Sequence, residues 1–247
     1  MPPDPRPLPP ALSVCGISHS FGSVQALRDV SFIVPKGAFT ALLGINGAGK
    51  TTLFSLITRL YDSISGNIEV AGFDARRQPG QALSRLGVVF QSRALDLDLT
   101  LRQNLLYHAA LHGIARRPAL HRIDEVLEVV GLTDKLSTRA AALSGGQQRR
   151  AEIARCLIHK PDLLLLDEAA AGLDVRSRIE VLALVRRLIA EQGVSTLWAT
   201  HVFDEIAPDD RVVVLHKGAV LAQGLARDLA QGRSLTEVFL EMTGAAA

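Results

Sequence analysis

Two spacings of apolar residues alternate along the chain. Val30, Phe32 and Val34 occupy every second position before Pro35, Lys36 and Gly37, which predicts an early strand and a turn in a β-rich opening. "AFTALLG" is a short apolar run, and Leu53, Leu56, Ile57 and Leu60 then fall at i, i+3, i+4 and i+7, so a strand, a glycine-rich loop and a helix follow one another. "NIEVAG" and "LGVVFQ" read as further strands, and Leu101 to His112 and Leu120 to Val130 as helices stopped by Gly113 and Gly131. After Pro161 come a strand at Leu163 to Leu166, a helix from Val175 to Glu191 and a strand from Val194 to Ala199. "RVVVLHKGAVLAQG" reads as a hairpin around Lys217 and Gly218. Strands alternating with helices predict an α/β fold with a parallel sheet covered on both faces, interrupted by a helical insert.

The turn after the "AFTALLG" strand carries chemistry. "GINGAGKT", Gly44 to Thr51, fills the pattern G-x-x-x-x-G-K-[ST] without a gap, between a predicted strand and a predicted helix. Polyphosphate oxygens must come close to backbone N–H groups, and side chains at Gly44, Gly47 and Gly49 would obstruct that approach or strain the turn. The loop therefore predicts a nucleotide cradle made of Gly44, Ile45, Asn46, Gly47, Ala48 and Gly49 and continuing into Thr52. Lys50 brings its charge to the outer phosphates, and the Thr51 hydroxyl is offered to Mg²⁺. "LLLLDEAAAGLD" supplies the second half of such a site. Four leucines make a strand buried on both faces, and the carboxylate at its C-terminal end emerges where parallel sheets bind ligands. Asp167 is expected to hold Mg²⁺ through its water shell, and Glu168 to orient or deprotonate an attacking water.

Composition narrows the alternatives. With 247 residues, 48% of them hydrophobic, the chain can bury a core as one large domain. A net charge of +2 and only 4% aromatic residues argue against nucleic acid as the main ligand. Cys15 and Cys156 match no metal spacing and read as two half-buried thiols in a reducing compartment. No run of about 20 apolar residues suggests a membrane span. "MPPDPRPLPP", residues 1–10, has no signal-peptide pattern and is expected to be extended and disordered.

"ALSGGQQRRAEIAR" poses a separate question. Ser144 is a good N-cap and Gln147 completes a capping-box spacing, so a helix starts there even though Gly145 and Gly146 disfavour one. Bare N–H groups at that start would admit an anion, while a plain glycine-softened helix start is the simpler reading of "SGG" alone.

Taken with the phosphate loop, "LSGGQ" resembles the signature of the ATP-binding subunits of ABC transporters, and the likeness covers nearly the whole chain after the proline-rich start. The resemblance implies a P-loop NTPase with a mostly parallel sheet core, an N-terminal antiparallel β-subdomain and an inserted α-helical subdomain. It implies one ATPase domain over residues 11–243, with the helical subdomain at about 92–158 and a flexible tail at 244–247. It also implies that two copies, or a homologous pair, dimerise head to tail, so that Ser144, Gly145, Gly146 and Gln147 of one grip the γ-phosphate held by the other. By the same likeness Phe21 stacks on adenine, Gln91 contacts Mg²⁺ and the attacking water, and His201 hydrogen-bonds the γ-phosphate. Asp174 crosses the dimer interface in that family, and a helix N-cap is an equally physical job for it. The other six histidines read as surface or core fillers. Ala169, Ala170 and Ala171 depart from the family by lacking a hydroxyl, and Ile45 replaces a common proline. The insert resembles that of exporter subunits working with separate membrane permeases, which implies a subunit peripheral on the cytoplasmic face of the cell membrane. A soluble ATPase of the same family, powering assembly without a permease, is the alternative.

Overall fold

The computed structural model describes residues 9–63 and 65–244, so most of the proline-rich start, and residues 245–247 of the tail, lie outside the described residues. The chain opens with β1 (Leu12–Phe21), β2 (Val24–Val34), β3 (Phe39–Leu43) and α1 (Lys50–Ile57). Next come β4 (Asn67–Val70), β5 (Phe73–Asp74), α2 (Pro79–Leu83) and β6 (Leu86–Val89). Three helices follow, α3 (Leu101–Leu111), α4 (Arg116–Val130) and α5 (Gly145–Leu157). The chain then returns through β7 (Leu163–Asp167), α6 (Val175–Gln192), β8 (Ser195–Thr200), β9 (Arg211–His216) and β10 (Ala219–Leu225) to α7 (Ala226–Ala230) and α8 (Leu235–Thr243).

Two sheets result. An antiparallel four-stranded sheet has the order β2-β1-β4-β5, and a six-stranded sheet has the order β10-β9-β3-β8-β7-β6. In the larger sheet β9, β3, β8, β7 and β6 are parallel, and only β10 runs against its neighbour. The near-continuous apolar strands are explained by cover on both faces. Leu164 and Leu166 of β7 point into one core with Trp198, Val212 and Val214, while Leu163 and Leu165 point into the other with Leu197, Val213 and Leu215. The first core continues into α3, α4 and α5 through Leu101, Leu105, Ile123, Val126 and Ile153, which seats the insert on the sheet. The second core continues through α1 into the antiparallel sheet.

Several elements differ from the expectation. β1 has no clean alternation because its pairing with β2 shifts register between Val14 and Ile17 and again on either side of His19, around Gly16 with φ 63°. α4 starts at Arg116 rather than Leu120, its first turn being polar and carrying Pro118, which the opening turn tolerates. The predicted hairpin is present, with Lys217 (φ 46°) and Gly218 (φ 79°) at its turn. The thiols are not half-buried. Cys15 is exposed, and Cys156 is buried, its thiol pKa pushed up to about 11 by loss of solvent.

Candidate active site

The glycine-rich turn joins β3 to α1. Gly49 caps α1 with φ 109°, a conformation that side chains resist, and a Cβ there would lie 2.8 Å from Leu27 Cδ2. A Cβ on Gly44 would meet the carbonyl of Leu215 at 2.6 Å, so protein packing by itself already forbids a side chain at that position. The loop is pinned from outside. Gly44 N–H donates to Thr200 O at 3.2 Å, and Gly218 N–H donates to Ala48 O at 2.9 Å, so the β9–β10 turn supports the loop. A cavity of about 540 Å³ opens above it, lined by residues 45–52, by Val24 to Ala26, Arg28 and Lys217, and by Gln91 and Glu168. With α1's first amides and a cation on one side, such a space can take a polyphosphate.

Lys50 is buried and its three N–H donors have three acceptors, Gly44 O at 2.6 Å, Ile45 O at 3.3 Å and Glu168 Oε1 at 3.3 Å. Glu168 gathers the rest. His201 Nδ1–H donates to Oε1 at 3.2 Å and Gln91 Nε2–H donates to Oε2 at 3.2 Å. The residue holds φ 47°, which costs a non-glycine residue about 1–3 kcal/mol, and its own N–H is fixed on Ala199 O at 3.0 Å. Four residues distant in sequence, Lys50, Gln91, Glu168 and His201, are thus brought into one polar cluster at the C-terminal ends of β6, β7 and β8. Asp167 lies beside them, and burial, followed by the charge of Glu168, raises its carboxyl above the usual aspartate range. Lys50 and the Thr51 hydroxyl pull it back down in part.

Other expected residues sit elsewhere. Phe21 ends β1 half-exposed, edge-on to His19 at 4.7 Å and to Tyr61 at 5.4 Å, and Val24 to Ala26 just beyond it line the cavity. Ser144 and Gln147 form a complete capping box at the start of α5 and do not line that cavity. Asp174 caps α6, accepting from Ser177 N–H at 2.9 Å. Gly146 is explained by packing: a Cβ there would lie 2.5 Å from Ser177 Oγ, so α5 can approach the start of α6 only without a side chain. Ala170 and Ala171 border a second, smaller cavity of about 150 Å³ beside Glu168 and His201.

Three residues missed in the sequence position this cluster. Glu205 is buried and accepts from Trp198 Nε1–H at 2.9 Å and Thr200 Oγ1–H at 2.5 Å, which fixes the segment bearing His201. Arg149 and Glu152 form a buried ion pair of 2.7 Å on α5. Arg149 donates to Phe90 O at 2.9 Å and Gln91 O at 3.4 Å, while Glu152 accepts from Ala94 N–H at 2.8 Å. The signature helix therefore grips the backbone that carries Gln91. An Arg and Glu at i, i+3 among alanines and isoleucine are the available signal.

The profile of the ABC transporter family matches residues 27–171, across the glycine-rich loop, the capping box and Glu168. The chain belongs to that family. Among its relatives, the Nod factor export ATP-binding protein I of Rhizobium johnstonii is 38% identical over 220 residues, covering 87% of this chain and 70% of that protein. The sulfate/thiosulfate import ATP-binding protein CysA of Thermosynechococcus vestitus is 37% identical over 219 residues, covering 88% of this chain and 65% of that protein. Among solved structures, cbiO1 from Clostridium perfringens, part of the ABC transporter complex cbiONQ, superimposes with a TM-score of 0.83 at 26% identity, covering 94% of this chain and 95% of that one. As an ABC transporter ATP-binding subunit the protein binds and hydrolyses ATP. No described helix is long and apolar enough to cross a membrane.

Proposed function

We propose that this ABC subunit drives export through separate membrane permeases, working from the cytoplasmic face as a head-to-tail pair with one ATP at each seam. The observation that carries the hydrolytic part is the convergence of Lys50, Gln91 and His201 on Glu168. Lys50 exchanges its two loop carbonyls and Glu168 for the outer phosphates, which frees one oxygen of Glu168 to hold the attacking water. His201 releases that same oxygen, Oε1, and turns to the γ-phosphate. A buried carboxylate beside a Thr hydroxyl is a hard oxygen donor set that fits Mg²⁺, so Asp167 and Thr51, with Gln91, are the residues that would hold it. When bound, the ion neutralises phosphate charge as the terminal phosphoryl leaves. Phe21 serves as an adenine platform just before the Val24 to Ala26 segment that lines the cavity, and Asp174 with the capping box of α5 faces the second copy.

Export rests on the likeness of the insert to that of exporter subunits, and docking on a membrane subunit is supported by the surface of the insert. Leu97, Tyr107 and Leu111 are exposed large apolar residues on it, fit to meet a membrane subunit. Arg149 connects that region to Gln91 and hence to Glu168. The test is co-expression with a permease encoded beside it. Membrane-bound ATPase activity that falls at least about 100-fold in Glu168→Gln, with ATP-dependent dimers accumulating, supports the reading. Recovery of the chain only in the soluble fraction, with undiminished turnover, supports an assembly ATPase instead. Cargo accumulating inside vesicles whose ATPase faces outward fits export, and cargo lost from preloaded ones fits import.

A further inference from the structure

Three histidines meet away from the nucleotide cavity. His108 lies in the last turn of α3, His112 caps that helix one turn later, and His159 follows α5 on the way to β7. One ring nitrogen from each lies within 4.8 Å of the others. The His112 and His159 rings stack at 3.8 Å between centroids, and His108 is 4.6 Å from the first and 5.7 Å from the second. The i, i+4 spacing puts two imidazoles on one helical face, and the fold brings the third to meet them.

The hydrogen bonding leaves the metal-binding atoms open. His159 Nε2 is 3.1 Å from the carbonyl of Leu86, at the start of β6. A carbonyl accepts only, so the proton sits on Nε2 and the lone pair on Nδ1. That Nδ1 is buried and has no hydrogen-bond partner among the described residues, and His108 Nε2 is in the same state. Holding the far ring nitrogen on a carbonyl is how proteins orient a metal-binding histidine. Burial, helped by the Arg155 charge, pushes His108 down to about 3, and burial pushes His159 down to about 4, so both rings are neutral at neutral pH.

From this juxtaposition we propose that His108, His112 and His159 form a site for one transition-metal dication of the Zn²⁺, Co²⁺ or Ni²⁺ type, bound through three imidazole nitrogens. Without a carboxylate or carbonyl donor set the site disfavours Mg²⁺ and Ca²⁺. Metal–nitrogen bonds of about 2.0–2.1 Å place tetrahedral ligands roughly 3.4 Å apart, and each lone pair lies in the plane of its ring, so the His112 and His159 rings must leave their parallel stack; His112, the exposed one, has room to turn. Solvent at His112 supplies a water for the fourth position. Arg155 is the neighbouring charge that weakens cation binding. Because His159 is tied to Leu86, a bound metal fastens α3 of the insert to the edge strand of the six-stranded sheet. No residue of the nucleotide cavity takes part.

The test is a titration of the full chain, without a polyhistidine tag or nucleotide, with Co²⁺ against a background of excess Mg²⁺, followed by visible absorption. The expected result is one Co²⁺ per chain, displaced by Zn²⁺, with a ligand-field band of low coordination number. His112→Ala, whose exposed ring the fold does not need, and His159→Gln weaken binding by about 100-fold or more, while His121→Ala leaves it unchanged. Zn²⁺ also raises the thermal midpoint of the parent chain and not that of His112→Ala. Absence of the band, or binding by His112→Ala as tight as by the parent chain, overturns the site.

Discussion

α1 starts at Gly49, which has no side chain to accept a hydrogen bond from the helix, whereas α5 starts at Ser144, whose hydroxyl already accepts the Gln147 N–H at 3.3 Å. The second helix also closes the reverse bond, with Ser144 N–H donating to Gln147 Oε1 at 2.9 Å. Beside the first start stands the ammonium of Lys50, inside a cavity, and beside the second the guanidinium of Arg93, 3.6 Å from where a Gly145 Cβ would be. One helix start is open and charged enough to hold a polyphosphate alone. The other has satisfied part of its own backbone and is suited to complete a phosphate presented by another molecule. That division of labour is what makes a pair of chains the proposed working unit.

The comparison can be broken first at the open end. Lys50→Ala removes the only cation within the loop, and steady-state ATP turnover should fall by about 10²–10³-fold, measured as phosphate release. Smaller and of a different kind is the effect of Gly146→Ala. Its Cβ would press on Ser177 Oγ at 2.5 Å and Ser177 Cβ at 2.8 Å, so urea unfolding should show a loss of about 1–3 kcal/mol. Adding Ser177→Ala should restore only part of it, because the Cβ contact remains. Smallest is Ser144→Ala, which removes the hydroxyl half of the capping box and should lower stability by about 1 kcal/mol, with nucleotide-free chain as the sample. A Ser144→Ala chain that binds ATP as a monomer like its parent, yet turns it over more slowly, would sharpen the contrast between the two helix starts.

The phosphate loop and the capping box are legible in the sequence because each is complete within a few residues and its geometry is local. The same holds for β7, whose four leucines announce cover on both faces, and for the Lys217-Gly218 turn. What the turn does is not local: Gly218 supports the phosphate loop through Ala48, and only the fold brings them together. Gly146 has a packing reason that the sequence does not show, since a Cβ there would collide with Ser177 on α6. Glu205 is buried against Trp198 and Thr200 a few residues before it, whereas Arg149 and Glu152, apart from their own i, i+3 pairing, are held by the backbone of Phe90, Gln91 and Ala94, which only the fold brings to them. His108, His112 and His159 fail for the same reason, two of them being visible as a helical pair and the third arriving through the α5–β7 connection.

The direct measurement is disulfide trapping between copies. In a chain carrying Glu168→Gln, Cys15→Ser, Asn46→Cys and Ser144→Cys, the phosphate loop of one copy should be linked to the α5 cap of the other when ATP is present. The same chain without ATP should stay monomeric under oxidation. ATP-bound chains in which the two introduced thiols never join one copy to the other, whatever the oxidant, would contradict a nucleotide shared between two copies.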